Sequence, residues 1–299
     1  MKILHDNYTW INTAEAYQSL SKSPAVYLLT RFNLKFWKTA KSGMDTRSTE
    51  WLRKRFELFE TYCMPSVRNQ TYSEFLWFCL FSDDTPLEWL DRLVEIKKQC
   101  RQFYPPLLSD KEGEEHDRVL GRFLDSLHFE GQQVVTLRID NDDAIGSDFI
   151  ERAIDIAKSQ EEEKAVYWFE TGLQYYHHRK VAFHIRSPHN HYPFLVVKHS
   201  ALGNNTILAF SHRGIMPECY TKRVLVSEEM WLEVIHDDNV MNEVRLDFTQ
   251  SPFTDELTFT KKFGSLPLLT RRHHYLTFLL PRMAKHFVRR FYQKVIGIG

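Results

Sequence analysis

The sequence predicts an α/β fold: a mostly parallel sheet flanked by helices, with a smaller antiparallel part and a helical C-terminal extension. Three observations predict it. Apolar runs at residues 25–30, 75–81 and 133–139 read as strands buried on both faces. The segments between them carry apolar residues at helical spacing. After residue 164 the apolar runs shorten and turn residues separate them.

The elements follow in order. Residues 25–30 (AVYLLT) form the first strand, and Arg31-Phe32-Asn33 lead into a polar loop. Ser48 or Thr49 caps a helix whose stripe is Leu52, Phe56, Phe59, Tyr62 and Cys63, and Pro65 breaks or restarts it. Strand 75–81 (FLWFCLF) ends in the loop Ser82-Asp83-Asp84-Thr85-Pro86. Residues 87–100 read as a helix, and the stretch from Val119 to Leu127 as another. Strand 133–139 closes on Asp140-Asn141-Asp142-Asp143. A helix then starts near Asp148, with Glu151 as capping-box partner and Ile150, Ile154 and Ala157 on its apolar face. Beyond it, 165–169, 181–185, 194–197, 207–210 and 224–226 are short strand candidates, and 230–235 looks like a short helix. These strands either extend the sheet or form a second, antiparallel one.

Bulk properties narrow the classes. At 299 residues with 43% apolar content, one large domain can build its own core. Lys plus Arg equals Asp plus Glu at 39 each, so the charge gives no case for a nucleic-acid partner. The four cysteines have no ligand spacing and read as free thiols in a reducing compartment. Residues 1–13 lack the apolar stretch of a signal peptide, and run 75–81 is too short to cross a bilayer. The expectation is a cytoplasmic protein.

The most informative chemistry lies in the loop after strand 133–139. Open α/β sheets place ligands at the carboxyl ends of their strands. In extended chain, residues i and i+2 project to one side, so Asp140 and Asp142 can share one hard cation, Mg²⁺ or Mn²⁺. Such an ion would hold a diphosphate, and Arg138 would pair with the phosphates or with an aspartate. An isolated D-x-D also reads as an acidic surface turn, and phosphatases and nucleases use acidic strand ends as well.

Residues 60–86 (ETYCMPSVRNQTYSEFLWFCLFSDDTP) and 136–149 (TLRIDNDDAIGSDF) resemble glycosyltransferase family 2-like domains. Ser66, Gln70, Thr71, Asp83 and Asp84 stand in that family's motif positions. More closely, Trp51-Leu52, Arg55, Leu58-Phe59-Glu60, Pro65-Ser66-Val67, Gln70 and the later WLEVIHDDN at 231–239 are similar to a bacterial rhamnosyltransferase family. The resemblance spans roughly residues 25–245 and implies a GT-A fold, which is Rossmann-like. It also implies a metal-dependent, inverting transfer of a sugar, rhamnose among the options, from a nucleoside diphosphate to a glycan or lipid-linked acceptor. By the same resemblance Thr30, Arg31 and Asn33 hold the nucleoside, Asp83 or Asp84 contacts base or ribose, and Asp140 and Asp142 bind metal and diphosphate. The chain would divide into a GT-A-like domain at 1–255, with a nucleotide half at about 23–160 and an acceptor half at about 161–255. Residues 256–299 would follow as an extension. A non-catalytic scaffold of this fold, binding glycan or membrane, is the competing reading. A nucleotidyltransferase lacks support, because no Gly-rich phosphate loop is present.

His236 is the candidate third metal ligand, or else a helix-terminal histidine that favours the dipole. An inverting transfer needs a base at the acceptor hydroxyl. Glu229 and Asp237 are the leading candidates, with Glu228 and Glu170 behind them. The histidine-rich stretch of His177, His178, His184, His189 and His191 matches no metal spacing and reads as part of an acceptor-facing surface. Beyond Glu256 there is no acid, and Met283, Phe287, Phe291 and Val295 recur every four residues among basic ones. That stretch is a basic amphipathic helix, either peripheral on an anionic membrane surface or docked on the domain.

Overall fold

Strand β1 (Ala25–Arg31) occupies the middle of an eight-stranded sheet, as its chemistry requires: every side chain but the last is buried. In this computed structural model the described residues are 23–281 except 36–38, 41–42, 128–130, 189, 199–205, 211–219, 225, 238–250 and 273, together with 284 and 288. β1 pairs in parallel with β2 (Leu76–Ser82) on one side and β5 (Gln133–Arg138) on the other. The short β3 (Phe103–Tyr104) and β4 (Leu107–Leu108) both run parallel to β2. Beyond β5 comes β10 (Phe194–Lys198), antiparallel, then β7 (Lys164–Phe169) and β11 (Tyr220–Val224). Two antiparallel pairings in succession make β7 parallel to β5. The carboxyl ends of β1, β2, β5 and β7 therefore share one edge.

Helices cover both faces. α1 (Thr49–Leu58) runs through a π turn (Phe59–Cys63) into α2 (Met64–Arg68), and the Ser48 hydroxyl caps it by accepting from Trp51 N at 3.2 Å. Phe56 and Phe59 from this run pack with Trp77, with Leu93 of α3 (Leu87–Gln99) and with Ile154 of α6 (Phe149–Lys158). On the other face Leu120 and Leu124 of α5 (His116–Asp125), which follows the short α4 (Asp110–Glu114), meet Tyr27 and Phe78.

A second, five-stranded sheet has the order β13 (Pro252–Phe253), β9 (Val181–Arg186), β8 (Thr171–Tyr176), β12 (Trp231–Ile235), β6 (Ala144–Ile145). β12 runs parallel to β8 and antiparallel to β6, so this sheet is mixed rather than purely antiparallel. Phe259 and Phe263 of α7 (Glu256–Phe263) pack on it with Leu173 and Val234. Tyr275 and Phe278, in the helical stretch that follows, pack with Tyr176 and Phe183.

The expected parallel sheet, its flanking helices and the smaller second sheet are all present. Four local expectations differ. Within residues 230–235, Trp231–Ile235 form a strand, because Trp231 and Leu232 face opposite cores and both are buried. A five-residue run that is apolar on both sides reads alike as helix or strand. Residues 207–209 form a 3₁₀ turn, capped by the Thr206 hydroxyl, which accepts from Leu208 N at 3.2 Å. The strand expected at 224–226 ends at Val224, and β8 had no counterpart among the expected strands. Glu151 does not close a capping box, because its carboxylate accepts from the Thr71 hydroxyl at 2.7 Å. Cys219 and the basic helix residues Met283, Phe287, Phe291 and Val295 lie outside the described residues.

Gly172 lets β8 pass beneath the Trp231 indole: a Cβ there would stand 2.2 Å from a ring carbon. The indole cannot move aside, since its Nε1 donates to Phe169 O at 2.7 Å and Tyr192 stacks on it at 5.0 Å. Gly172→Ala should lower the unfolding free energy by about 3 kcal/mol through overpacking. A denaturant midpoint equal to wild type would show that the ring yields.

Candidate active site

The loop that follows β5 is tied to the end of β1. Asn141 Nδ2 donates to Arg31 O at 3.2 Å and to Phe32 O at 2.9 Å. Asp142 points the other way, toward α1 and the end of β12. Its Oδ2 accepts from Arg55 Nη1 at 2.5 Å and from His236 Nε2 at 2.9 Å, with the ring taken as the Nε2-protonated form that an ionised carboxylate requires. All three side chains are less than a tenth exposed. Burial alone would raise the Asp142 carboxyl, but Arg55 and His236 outweigh it and hold the group well below the usual range.

Asp140 is more open, with 28% of its side chain exposed, and Arg138 Nη2 donates to its Oδ1 at 2.9 Å. Burial opposes ionisation here too, and Arg138 and Arg31 overcome it. Burial and the neighbouring Arg138 push the Arg31 guanidinium down to about 10, with Asp140 acting against them. Two arginines and a carboxylate thus crowd the carboxyl edge of β1 and β5.

Asp143 behaves differently. It is fully buried, its Oδ1 accepts from Val234 N at 2.8 Å, and no hydrogen bond of normal geometry reaches Oδ2. Burial first, then Asp142, Asp140 and Glu233, push its carboxyl well above the ordinary value. Glu233 is buried beside it: its Oε2 accepts from Gln174 Nε2 at 2.9 Å, and His191 Nε2 stands 3.9 Å from Oε1. The Tyr192 hydroxyl adjoins the same two acids, and burial with their charge raises it well above its usual value.

Several residues expected at the site stand elsewhere. Thr30 is fully buried and its hydroxyl accepts from Trp77 Nε1 at 2.9 Å, so it faces the core and not a nucleoside. Asn33 clamps two strand ends, accepting from Ser82 N and donating to the Thr85 hydroxyl, each at 3.0 Å. Asp83 is exposed, while Asp84 is held by Lys35 Nζ at 2.5 Å and the Ser82 hydroxyl at 2.6 Å. Glu229 pairs with His184 Nδ1 at 2.9 Å before the start of β12, whereas His236 follows its end. Six residues lie between them, and seven extended steps span about 23 Å of chain. Glu229 therefore does not share a centre with His236 and Asp142. Asp237 is 84% exposed and pairs with His178 Nε2 at 3.1 Å, one residue beyond His236. Glu228 is exposed, and Glu170 is buried at the end of β7 with Arg186 Nε at 3.0 Å. The histidine-rich stretch disperses: His177 meets the Tyr62 hydroxyl at 2.5 Å, His178 and His184 pair as above, and His189 lies outside the described residues.

A family model described as "Putative rhamnosyl transferase" matches residues 27–247. The chain belongs to this family. No curated protein matches it in sequence. Among solved structures it is similar to residues 1–349 of S. aureus TarS at 9% identity and TM-score 0.35, covering 70% of this chain and 60% of that one. The same protein in complex with UDP gives 9% identity, TM-score 0.38 and the same coverage. An inositol-1-phosphate CTP transferase from T. maritima gives 12% identity and TM-score 0.34, covering 73% of this chain and 91% of that one. The chain thus spans less than two thirds of TarS 1–349. Family membership carries the reading of this rhamnosyl transferase family protein, and these loose superpositions do not.

Motif residues of the family brace the loop. Gln70 Nε2 donates to Ser66 O at 3.0 Å and to Gly146 O at 2.8 Å, and its Oε1 accepts from Ile150 N at 3.1 Å. Arg55 had been legible only as part of a resemblance and proves to be the partner of Asp142. Sequence reasoning missed Glu233 and Tyr192, and it placed His191 only within an acceptor-facing histidine-rich stretch. One signal was available: a glutamate in the middle of WLEVI is a charge in a segment that otherwise demands burial.

The raised Asp143 carboxyl gives a pH prediction. The folded chain keeps this proton over a range in which the unfolded chain, titrating near 4, has lost it. Stability therefore falls as pH rises from the unfolded value toward the folded one. Asp143→Asn keeps an oxygen for Val234 N–H and cannot ionise. It should flatten that fall and be more stable than wild type at neutral pH, as read by urea unfolding across pH. Superimposable profiles for the two proteins would refute the assignment.

Proposed function

We propose that this protein transfers a sugar, with rhamnose the first candidate, from a nucleoside-diphosphate donor to a glycan or lipid-linked saccharide. One observation carries the reading beyond family membership. At the carboxyl edge of the parallel strands Asp142 and His236 meet at 2.9 Å, with Asp140, Arg138 and Arg31 beside them.

A divalent ion fits this donor set in one way. Among the described residues no group of three or more His, Cys, Asp or Glu converges as a metal cage. Mg²⁺ commonly takes one or two protein carboxylates and completes its shell with phosphate and water. Asp142 and His236 would hold such an ion, with Asp140 outside them, and nucleotide would supply further ligands. The Asp142 oxygen that accepts from Arg55 and His236 would then be shared with the ion. For this His236 must release its Nε2 proton. When bound, Mn²⁺ or Mg²⁺ neutralises charge on the departing diphosphate.

The chain's own residues supply the remainder. Asp140 fixes the Arg138 guanidinium, which with Arg31 offers planar donors suited to phosphate oxygens. Asn141 holds the loop to β1, so the acids and arginines keep their spacing. For an inverting transfer the acceptor hydroxyl needs a base within reach. His191 lies beside Asp140 with 13% of its side chain exposed and is backed by buried Glu233, which favours it over Glu229 and Asp237.

Thermal shift with a panel of nucleoside diphosphates, with and without Mn²⁺, tests the reading. One nucleotide should stabilise the protein only with metal, by ~2.7 kcal/mol at about 100 times its Kd. If no nucleotide stabilises the fold under either condition, the proposal fails. Asp142→Asn keeps the side-chain shape and removes the charge. Product formation or donor hydrolysis should fall at least ~100-fold while the melting curve stays cooperative. Wild-type turnover in that variant would remove Asp142 from the mechanism.

A further inference from the structure

The described residues expose six large hydrophobic side chains, and five of them are Leu257, Leu269, Leu276, Leu280 and Val288. The same stretch, from residue 257 onward, carries nine Lys and Arg and no acid. Tyr275 and Phe278 dock the helical residues here onto the second sheet. Leu276 and Leu280, one turn apart, face away from it and are 52% and 57% exposed. Ala284 and Val288, both exposed and helical, continue the four-residue spacing. Four residues advance a helix by about 400°, so Leu276 and Leu280 are offset by only ~40° and lie on one side. The helix is therefore apolar on its docked side and again on its outer side, and Arg271 and Arg272 stand exposed where it begins.

We propose that this outer stripe is an interfacial surface that seats the protein on an anionic lipid bilayer. The chemistry selects that occupant. Leucines one turn apart sink into the headgroup boundary, while neighbouring arginines and lysines meet lipid phosphates. A second copy of the chain would bring two basic stretches together, which repel. Among the described residues no helix is long and apolar enough to cross a membrane, so the contact is peripheral. It does not depend on the donor chemistry proposed above. It would bring an enzyme of that kind to a surface that holds lipid-linked saccharides.

The test is co-sedimentation of the full chain with vesicles of phosphatidylcholine, with and without phosphatidylglycerol. Wild type should bind the anionic vesicles and not the neutral ones. Leu276→Glu with Leu280→Glu leaves Tyr275 and Phe278 in place, so its melting temperature should match wild type. Its partitioning onto anionic vesicles should drop at least ~10-fold. Arg271→Gln with Arg272→Gln should weaken binding at least ~5-fold and reduce its salt dependence. Equal sedimentation of wild type and the leucine variant would overturn the proposal, as would no binding by wild type. A lipid-free dimer that the leucine variant abolishes would also overturn it, since a second copy would then cover the stripe.

Discussion

The charge on Asp142 is the constraint on which the site is built. It lies out of water, and an isolated buried carboxylate does not stay ionised. Here Arg55 from α1 and His236 after β12 hold it ionised. Three segments far apart in the chain thus converge because one charge must be met. Removing either partner of such a pair leaves the other uncompensated, which typically costs 3–5 kcal/mol. The loop after β5, the π-turned helix and the second sheet consequently form one mechanical unit.

Around that charge the acids divide by environment. Asp140 is partly open and faces two arginines, so it stays charged. Burial first, then the neighbouring acids Asp142, Asp140 and Glu233, raise the Asp143 carboxyl well above its ordinary range, against the pull of the Val234 N–H bond. One loop therefore carries two carboxylates that arginine partners favour as anions and a third whose ionisation burial opposes. Perturbed carboxylates of this kind cluster at functional sites more often than at plain surface turns.

The core strands were legible because strands buried on both faces leave continuous apolar runs, as at β1, β2 and β5. The acidic loop was legible for the same reason, since it interrupts such a run. Side-chain direction within those strands was not. Thr30 and Arg31 are neighbours, yet one turns into the core and the other toward Asp140 and Arg138. The misreading of 230–235 as a helix also misplaced a catalytic candidate. On a helix Glu229 and His236 would lie two turns apart on one face, about 10 Å. On the strand that forms they are more than twice as far apart. A wrong period thus brought Glu229 and His236 closer together than the strand does.

The register of β12 connects fold to chemistry. Sliding a strand by one residue turns every side chain to the opposite face. Such a slip would carry His236 away from Asp142 and place Glu233 where Val234 packs. Separate interactions prevent it: Trp231 Nε1 reaches Phe169 O only above a glycine, Gln174 meets Glu233, and Asp143 accepts from Val234 N. Two of these use buried polar groups that would cost stability if left unpaired, so a shifted register is penalised at several points at once. The buried acids near the site therefore act as alignment devices as well as charges. The position of His236 follows from them as much as from the residue itself.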